Sequence, residues 1–282
     1  MDKKLKLAVI GSPINHSMSP KIHQDFANQF NAKIDFGKHE VLPDTLETWL
    51  ADFFEDRGKG VSITLPLKEA ALNHADEISD RARLASACNV IYKKGEKLFA
   101  DCTDGFGLTK DLEENLKVSL KDKKILILGS GGAARGIIPF IIEKNPAKLK
   151  IANRTESKAL LLKEGLESKV NLKETNIIFE AGDLSDDFLL SDSYDLVINS
   201  TSVSTHAGES LGLPKALFSG TQLAYDLFYS TKKTLFMQEA IKNGAEKVSD
   251  GWGMLVEQGA ESFRLWTNLI PDTSRLLEKP ID

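Results

Sequence analysis

The stretch Lys124–Thr155, KILILGSGGAARGIIPFIIEKNPAKLKIANRT, decides the fold. Ile125-Leu126-Ile127-Leu128 is a short apolar run rich in β-branched residues, the pattern of a strand buried on both faces. Gly129-Ser130-Gly131-Gly132-Ala133-Ala134 follows at once and fits G-x-G-x-x-A. Apolar positions at helical spacing then run to Glu143, and a second strand is expected over Leu149–Ala152. A strand, a Gly-rich turn and a helix in this order seat a pyrophosphate on a helix N-terminus. Gly129 allows the tight turn, Gly131 lets backbone N–H groups approach the phosphates, and Ala134 lets helix and strand pack closely.

The end of the second strand chooses the dinucleotide. An NAD site wants a carboxylate about 20 residues past the first glycine, to accept from the ribose 2′-hydroxyl. Asn153-Arg154-Thr155 stands there instead. Arg154 offers a planar, permanently charged fork suited to a phosphate, and its neighbours add neutral donors. Thr155 could alternatively serve only as an N-cap, and Arg154 as a solvated charge. Beside the Gly-rich turn, the pattern favours NADP over NAD.

Length and composition set the bounds. A chain of 282 residues suits one large or two medium domains, and 41% apolar with 27% charged residues is ordinary for a globular protein. A net charge of −5 offers no basic excess to release counterions from a nucleic-acid backbone. Cys88 and Cys102 are the only cysteines, too few for a disulfide framework or a Cys-rich metal site. The N-terminus moves directly into a strand-like run without a signal-peptide pattern, and no apolar run reaches the roughly 18 residues of a membrane span. A cytoplasmic protein without membrane, nucleic-acid or metal partners is expected.

Before the Gly-rich stretch, two βαβ-like units are expected. Leu5–Ile10 reads as a strand, and the turn-rich Gly11–Pro20 leads into a helix through about Phe30. Ser19-Pro20 makes a good N-cap and N1 pair, whereas Ser17 has no such structural role. Two hydroxyls two residues apart in a loop after a strand suit a hydroxylated or carboxylated small molecule. Strands are expected over Lys33–Val41 and Gly60–Leu65, with a helix over Thr45–Phe54 between them. Pro66 should stop the last strand and start a helix carrying Lys68, placing Thr64 and Lys68 at a strand's C-terminal edge, where open α/β sheets hold ligands. A further helix is expected from about Ile78 to Ser86, with Asp80 near its start. Asn89–Tyr92 and Lys97–Ala100 read as a hairpin, whose exit, Asp101–Gly105, leads into a helix to about Leu116.

The second half continues the doubly wound pattern. Strands are expected over Asn176–Ala181, Tyr194–Ser200 and Gln222–Leu227, with a helix over Lys233–Asn243. Asp250–Met254 opens a last helix with Leu255, Gly259, Phe263 and Trp266 at helical spacing, and the tail beyond Pro271 reads as frayed.

Taken in order, several pieces now align: Ser17-Met18-Ser19-Pro20, Thr64–Lys68, Asn89, Thr103-Asp104-Gly105, Gly129–Ala134, Asn153-Arg154-Thr155, Asn199-Ser200-Thr201, Tyr225–Tyr229 and Asp250–Met254. Each alone is weak, but their order and spacing over nearly the whole chain resemble the shikimate dehydrogenase family. The resemblance implies an N-terminal α/β substrate domain, residues 1–104 plus 251–282, and a doubly wound Rossmann-type NADP domain, residues 105–250. In it the final helix, from near Gly251, returns to the N-terminal domain. The implied reaction is reversible reduction of 3-dehydroshikimate to shikimate with NADPH, a step of aromatic amino-acid (chorismate) biosynthesis, in a monomer or homodimer. Ser17 and Ser19 are implied to bind the substrate carboxylate, and Thr64, Asn89, Asp104, Tyr229 and Gln258 to surround the ring hydroxyls. Lys68 and Asp104 are the implied catalytic pair. The implied cofactor residues are Asp80, Gly129, Ser130, Gly131, Gly132, Ala133, Asn153, Arg154, Thr155, Lys158, Leu227 and Gly251.

Elementary chemistry is consistent with these roles. Hydride delivered to a carbonyl carbon leaves a developing alkoxide, which an ammonium can protonate and a nearby carboxylate can orient. Burial lowers a lysine pKa and a neighbouring Asp104 raises it; at the level of sequence either could prevail. Three positions depart from the family pattern: Cys102 where asparagine is usual, Leu227 where methionine is frequent, and Trp252 where a smaller apolar residue is usual. Two other functions compete. One is a quinate/shikimate dehydrogenase using NAD, and the other is a non-catalytic regulator that binds dinucleotide or shikimate.

Overall fold

The structure, a computed structural model, describes residues 4–170, 175–206 and 208–278. The chain forms two units: one runs to Leu108 and resumes at Val256, and the other is Thr109–Leu255.

The first unit is built on a mixed six-stranded sheet. Its elements are β1 (Leu5–Gly11), α1 (Ser19–Gln29), β2 (Ile34–Glu40), α2 (Leu46–Glu55), β3 (Gly58–Ile63), β4 (Glu77–Ile78), α3 (Asp80–Ala85), β5 (Val90–Lys94), β6 (Lys97–Asp101) and the start of α4 (Asp104–Lys110). The strand order is β2-β1-β3-β5-β6-β4. β1 pairs in parallel with β2 and β3, whereas β5 runs antiparallel to β3 and β6. Leu46, Leu50, Phe53 and Phe54 of α2 bury themselves with Ala8, Ile10, Val61 and Ile63 of the sheet, the apolar stripe of an amphipathic helix meeting one sheet face.

This topology gathers the interesting ends on one edge. The parallel β1 and β3 finish side by side, where the Thr64 N–H donates to the Ile10 carbonyl at 3.0 Å. The β5–β6 hairpin reverses direction, so the entry of β5 at Asn89 and the exit of β6 at Asp101 lie on that same edge. Asn89 joins them: its carbonyl accepts from Ile63 N–H at 2.7 Å and its N–H donates to Asp101 O at 3.1 Å.

The second unit carries an all-parallel sheet formed by β7 (Lys124–Leu128), β8 (Lys148–Ala152), β9 (Ile178–Gly182), β10 (Leu196–Asn199), β11 (Leu223–Asp226) and β12 (Lys247–Ser249), in the order β12-β11-β10-β7-β8-β9. This is the doubly wound order of a Rossmann sheet, with the strand order reversing between β7 and β10. α5 (Gly132–Glu143), α6 (Glu156–Glu167), α7 (Asp186–Leu189) and α8 (Leu235–Lys242) connect the strands. The chain re-enters the first unit within α9 (Trp252–Thr267) and ends its described part in α10 (Ser274–Glu278).

Several expectations change. Lys68 stands in a turn, followed by a short 3-10 segment at Ala70–His74, so no α-helix carries it. Glu77-Ile78 pairs with β6 as an edge strand instead of opening a helix, and α3 begins at Asp80 under a Ser79 cap. Ser19 is the first helical residue and Met18 takes the N-cap position, so Ser19 makes no cap. The helix expected to run to Leu116 changes at Asp111 into a π turn. Beyond Pro271 the chain is helical at Ser274–Glu278, where the buried Leu276 anchors it. Residues 279–282 of that tail lie outside the described residues, as does Ala207 in the loop after β10.

Candidate active site

In the first unit, the loop after β1 is drawn against the end of β3. A side chain on Gly11 would stand 2.5 Å from Thr64 Cγ2 and 2.6 Å from the Leu65 carbonyl, so only glycine permits this approach. Ser12 N–H then donates to Leu65 O at 2.9 Å, and Lys38 Nζ ties the loop down at Asn15 O, 2.8 Å away. At the loop's end, Ser17 Oγ donates to Ser19 Oγ at 3.2 Å. The two hydroxyls therefore converge, and helix capping does not explain Ser19.

Lys68 and Asp104 meet as an ion pair. Lys68 Nζ lies 2.5 Å from Asp104 Oδ2, and their side chains are only 13% and 6% exposed. Burial pulls the Lys68 ammonium down, but the charge and hydrogen bond of Asp104 more than offset it, so its pKa stands above the ordinary lysine value. The group is an ammonium at neutral pH, able to give a proton. Asn89 braces the carboxylate: its Nδ2 lies 3.0 Å from Asp104 Oδ1, 2.9 Å from Thr103 Oγ1 and 3.0 Å from Gln258 Oε1. Asn89 Oδ1 accepts from the Thr103 N–H at 2.7 Å, which fixes the amide's orientation.

Gln258 arrives on α9, which Thr103 holds through its hydroxyl, 3.1 Å from both Gln258 O and Ser262 Oγ. One unit thus brings together Ser17, Ser19, Thr64, Lys68, Asn89, Asp104 and Gln258. The last candidate for the ring hydroxyls, Tyr229, belongs to the second unit. There its ring stacks on Phe228 and meets Trp252 edge-on, with centroids 6.2 Å apart. Trp252 therefore packs on another candidate residue. Cys102 lies within the apolar core of the first unit, and its sulfur accepts from the Asp104 backbone N–H. Burial pushes both thiols up, that of Cys88 to about 12, so neither is reactive.

In the second unit, the register aligns the C-terminal ends of the parallel strands. Leu128 pairs with Ala152 and with Asn199, and Asn199 pairs with Asp226. The residues that follow, Gly129–Ala133, Asn153–Thr155 and Leu227, consequently emerge along one edge beside the point of strand-order reversal, where open sheets of this kind take ligands. Gly129 turns with φ +106°, a left-handed conformation suited to glycine. Gly131 stands at the N-cap of α5 and makes no side-chain cap bond, and a Cβ there would meet nothing within 4 Å. The helix N-terminus is therefore open for an anion. Across the edge Arg154 and Lys158 are exposed and, among the described residues, have no ion-pair partner. Thr155 occupies the N-cap of α6, but its side chain makes no cap bond. Asn153 Nδ2 donates to Thr155 O at 2.9 Å and shapes the turn. Gly251 N–H donates to Phe228 O at 3.2 Å, which keeps it beside Leu227. Asp80 belongs to the first unit, exposed at the start of α3.

Two groups of largely buried polar residues make contacts that the sequence motifs do not reveal. Asp226 accepts from Asn199 Nδ2 at 3.1 Å, Ser204 Oγ and Thr234 Oγ1 at 2.6 Å and Phe228 N–H at 3.2 Å, which fixes both loops after β10 and β11. In the first unit, Arg81, Asp101 and Glu261 form a second network. The signal for Glu261 lay in spacing: Gln258, Glu261 and Ser262 share one helix face at i, i+3 and i+4.

Known proteins resemble this chain over nearly its whole length. A family model described as the shikimate dehydrogenase substrate binding domain matches residues 9–91. A shikimate / quinate 5-dehydrogenase model matches residues 111–210, and a shikimate 5′-dehydrogenase C-terminal domain model matches residues 251–278. A shikimate dehydrogenase (NADP(+)) from Herminiimonas arsenicoxydans is 42% identical over 272 residues, covering 95% of this chain and 94% of the relative. Its counterpart from Legionella pneumophila (strain Corby) is 43% identical over 276 residues, 97% of each chain. Among solved structures, shikimate 5-dehydrogenase from Thermus thermophilus, in complex with NADP(H) and shikimate, superposes with a TM-score of 0.84 at 32% identity over 97% of each chain.

Proposed function

This chain belongs to the shikimate dehydrogenase family, and on that premise we propose that it is an NADP-dependent oxidoreductase interconverting 3-dehydroshikimate and shikimate in chorismate biosynthesis. The observation that carries the reading is the largely buried Lys68–Asp104 ion pair, braced by Asn89 and Gln258. The first unit is the substrate-binding and catalytic domain, and the second binds NADP. The same reading makes the chain a cytoplasmic protein, monomer or homodimer. Among the described residues, no helix is long and apolar enough to cross a membrane.

The residues present fit the dinucleotide. Gly129–Ala133 and the open N-terminus of α5 would hold its pyrophosphate, and Arg154, with Asn153, Thr155 and Lys158, its 2′-phosphate. Leu227 and Gly251 would border the nicotinamide. NADPH supplies the hydride when bound.

The chain's own residues handle substrate and proton. Ser17 and Ser19 donate to the substrate carboxylate, and Thr64, Asn89 and Gln258 to its ring hydroxyls. As negative charge develops on the carbonyl oxygen, the Lys68 ammonium stabilises it and transfers a proton. Asp104 keeps Lys68 charged beforehand and fixes its direction. In the reverse direction the Lys68 amine accepts the hydroxyl proton.

The test is an absorbance assay for reduced nicotinamide, with shikimate and quinate each offered against NADP and NAD. Reduction of NADP by shikimate, with little by quinate or with NAD, is the expected result. Comparable rates with quinate and NAD would reassign the substrate. Dinucleotide binding with no turnover in any combination would make the protein a sensor instead of an enzyme.

A further inference from the structure

We propose that Arg81 and Glu261 are positioning residues for this reaction: their ion-paired bridge fixes the turn of α9 that carries Gln258 against the strand end that leads to Asp104. The inference rests on the proposed reading of the site.

The bridge is built from one guanidinium and two carboxylates. Arg81, the second residue of α3, closes a two-pronged grip on Asp101, Nε to Oδ1 at 2.9 Å and Nη2 to Oδ2 at 2.7 Å. Its remaining nitrogen, Nη1, reaches Glu261 Oε1 at 2.8 Å. Asp101 also accepts from Ser79 Oγ and from the Cys102 N–H, each at 2.7 Å. Arg264, one turn further along α9, grips Glu261 a second time at 2.6 and 2.7 Å. Asp101 and Glu261 are 4% and 6% exposed, so water does little to screen these contacts. Burial alone would push the Glu261 carboxyl up, but the two arginines hold it below its ordinary value. Both carboxylates are satisfied, and the geometry uses all three nitrogens of the guanidinium, which a lysine cannot supply.

What the bridge joins gives it a role. Asp101 ends β6, and Thr103 and Asp104 follow it two and three residues on. Glu261 lies one helical turn beyond Gln258 on the same face of α9. The 3.0 Å contact from Asn89 Nδ2 to Gln258 Oε1 therefore depends on how α9 registers against β6, and that register is what Arg81 sets. Neither residue touches the Lys68–Asp104 pair, so they act through Asn89, Gln258 and Asp104. A misplacement of about 1 Å in a catalytic array is worth up to about 100-fold in rate.

The experiment uses the full chain and two conservative variants, Arg81→Lys and Glu261→Gln, with three readouts: steady-state shikimate oxidation, NADP affinity by titration calorimetry, and the side-chain amide resonances of Asn89 and Gln258. A rise of about 5- to 30-fold in the shikimate KM with a lower kcat is expected, while NADP affinity stays within about twofold. The Asn89 and Gln258 amide resonances should shift in the ligand-free protein. Unmoved resonances with a shikimate KM within twofold of wild type, even in a protein that melts earlier, would reduce the bridge to a stability element and overturn the proposal. Equal losses of NADP and shikimate affinity would also overturn it. Should the wild type itself fail to oxidise shikimate, the reading of the function falls, while the amide resonances still decide the bridge.

Discussion

The two units solve the placement of a site in opposite ways. In the second, the parallel register does the work: Leu128, Ala152, Asn199 and Asp226 end in line, and whatever follows each strand is delivered to the same edge. Most of the candidate dinucleotide contacts come from two short runs, Gly129–Ala133 and Asn153–Lys158. In the first unit, an antiparallel hairpin interrupts the parallel order, and the candidate site collects single residues from five distant segments. A parallel sheet binds with contiguous loops. The mixed sheet binds with residues that need cross-links to stay in register.

If that contrast is right, substitutions in the two units should separate cleanly in their kinetics. The largest effect is expected at Lys68. Lys68→Ala should lower kcat by about 10²–10⁴-fold, the usual range for acid–base assistance, with the affinity for NADP intact. Because the Lys68 pKa is raised, wild-type shikimate oxidation should climb with pH through the neutral and alkaline range as the amine forms. A pH–rate profile without that limb in the variant would tie it to Lys68.

A smaller and complementary loss is expected in the second unit. Arg154→Gln removes a charged donor from the 2′-phosphate position, which should weaken NADP by about 10- to 100-fold. The shikimate KM and the use of NAD should change little. Parallel losses for NAD and NADP, measured in the same assay, would show that Arg154 shapes the loop without selecting the cofactor.

Stability should separate the units as well. His23 is 1% exposed, stacked on Phe36 and packed against Trp266 and Phe263, with no hydrogen-bond partner for its Nδ1 among the described residues, and burial pulls its pKa down to about 3. Between pH 6.5 and about 3 the unfolded chain takes up a proton there that the folded chain refuses, so stability falls as pH falls. At pH 5 the loss amounts to about 2 kcal/mol. Urea titrations at pH 7.5 and pH 5 should show this gap in wild type and a narrower one in His23→Phe. An equal gap in both proteins would assign the acid sensitivity elsewhere.

The smallest effect is expected at Cys102. Its thiol lies in the core and accepts a weak hydrogen bond from the Asp104 N–H, so Cys102→Ala should keep the shikimate KM within about threefold. A larger change would mean that this departure from the family pattern reaches the substrate.

Legibility of the sequence follows the same division. The β7–α5–β8 stretch declares itself, because its chemistry is local: strand, turn, helix and basic turn lie within one window. Lys68, Asn89 and Asp104 could be named through resemblance, but no local pattern states that they meet. Lys68 was expected on a helix and stands in a turn, because β3 ends at Ile63 and Pro66 opens no regular α-helix before the 3-10 segment at Ala70–His74. Ser19 looked like a cap and is the first helical residue instead, since Met18 takes the cap position. Nothing local marks Arg81, Asp101 and Glu261 as partners. Their pairings span 20 and 180 positions, which composition and periodicity do not encode.

The division of the first unit has a consequence for synthesis on the ribosome. Its sheet is made early, but the helix bearing Gln258 belongs to the segment that resumes at Val256. Translating the intervening stretch takes about 7–30 s at about 5–20 residues per second. Throughout that interval the nascent sheet lacks its final helix, and the apolar surface that Phe263 and Trp266 later cover is open to chaperones. The contiguous second unit can fold meanwhile. On the proposed role of Gln258, the substrate site is complete only once the segment from Val256 docks on the first sheet.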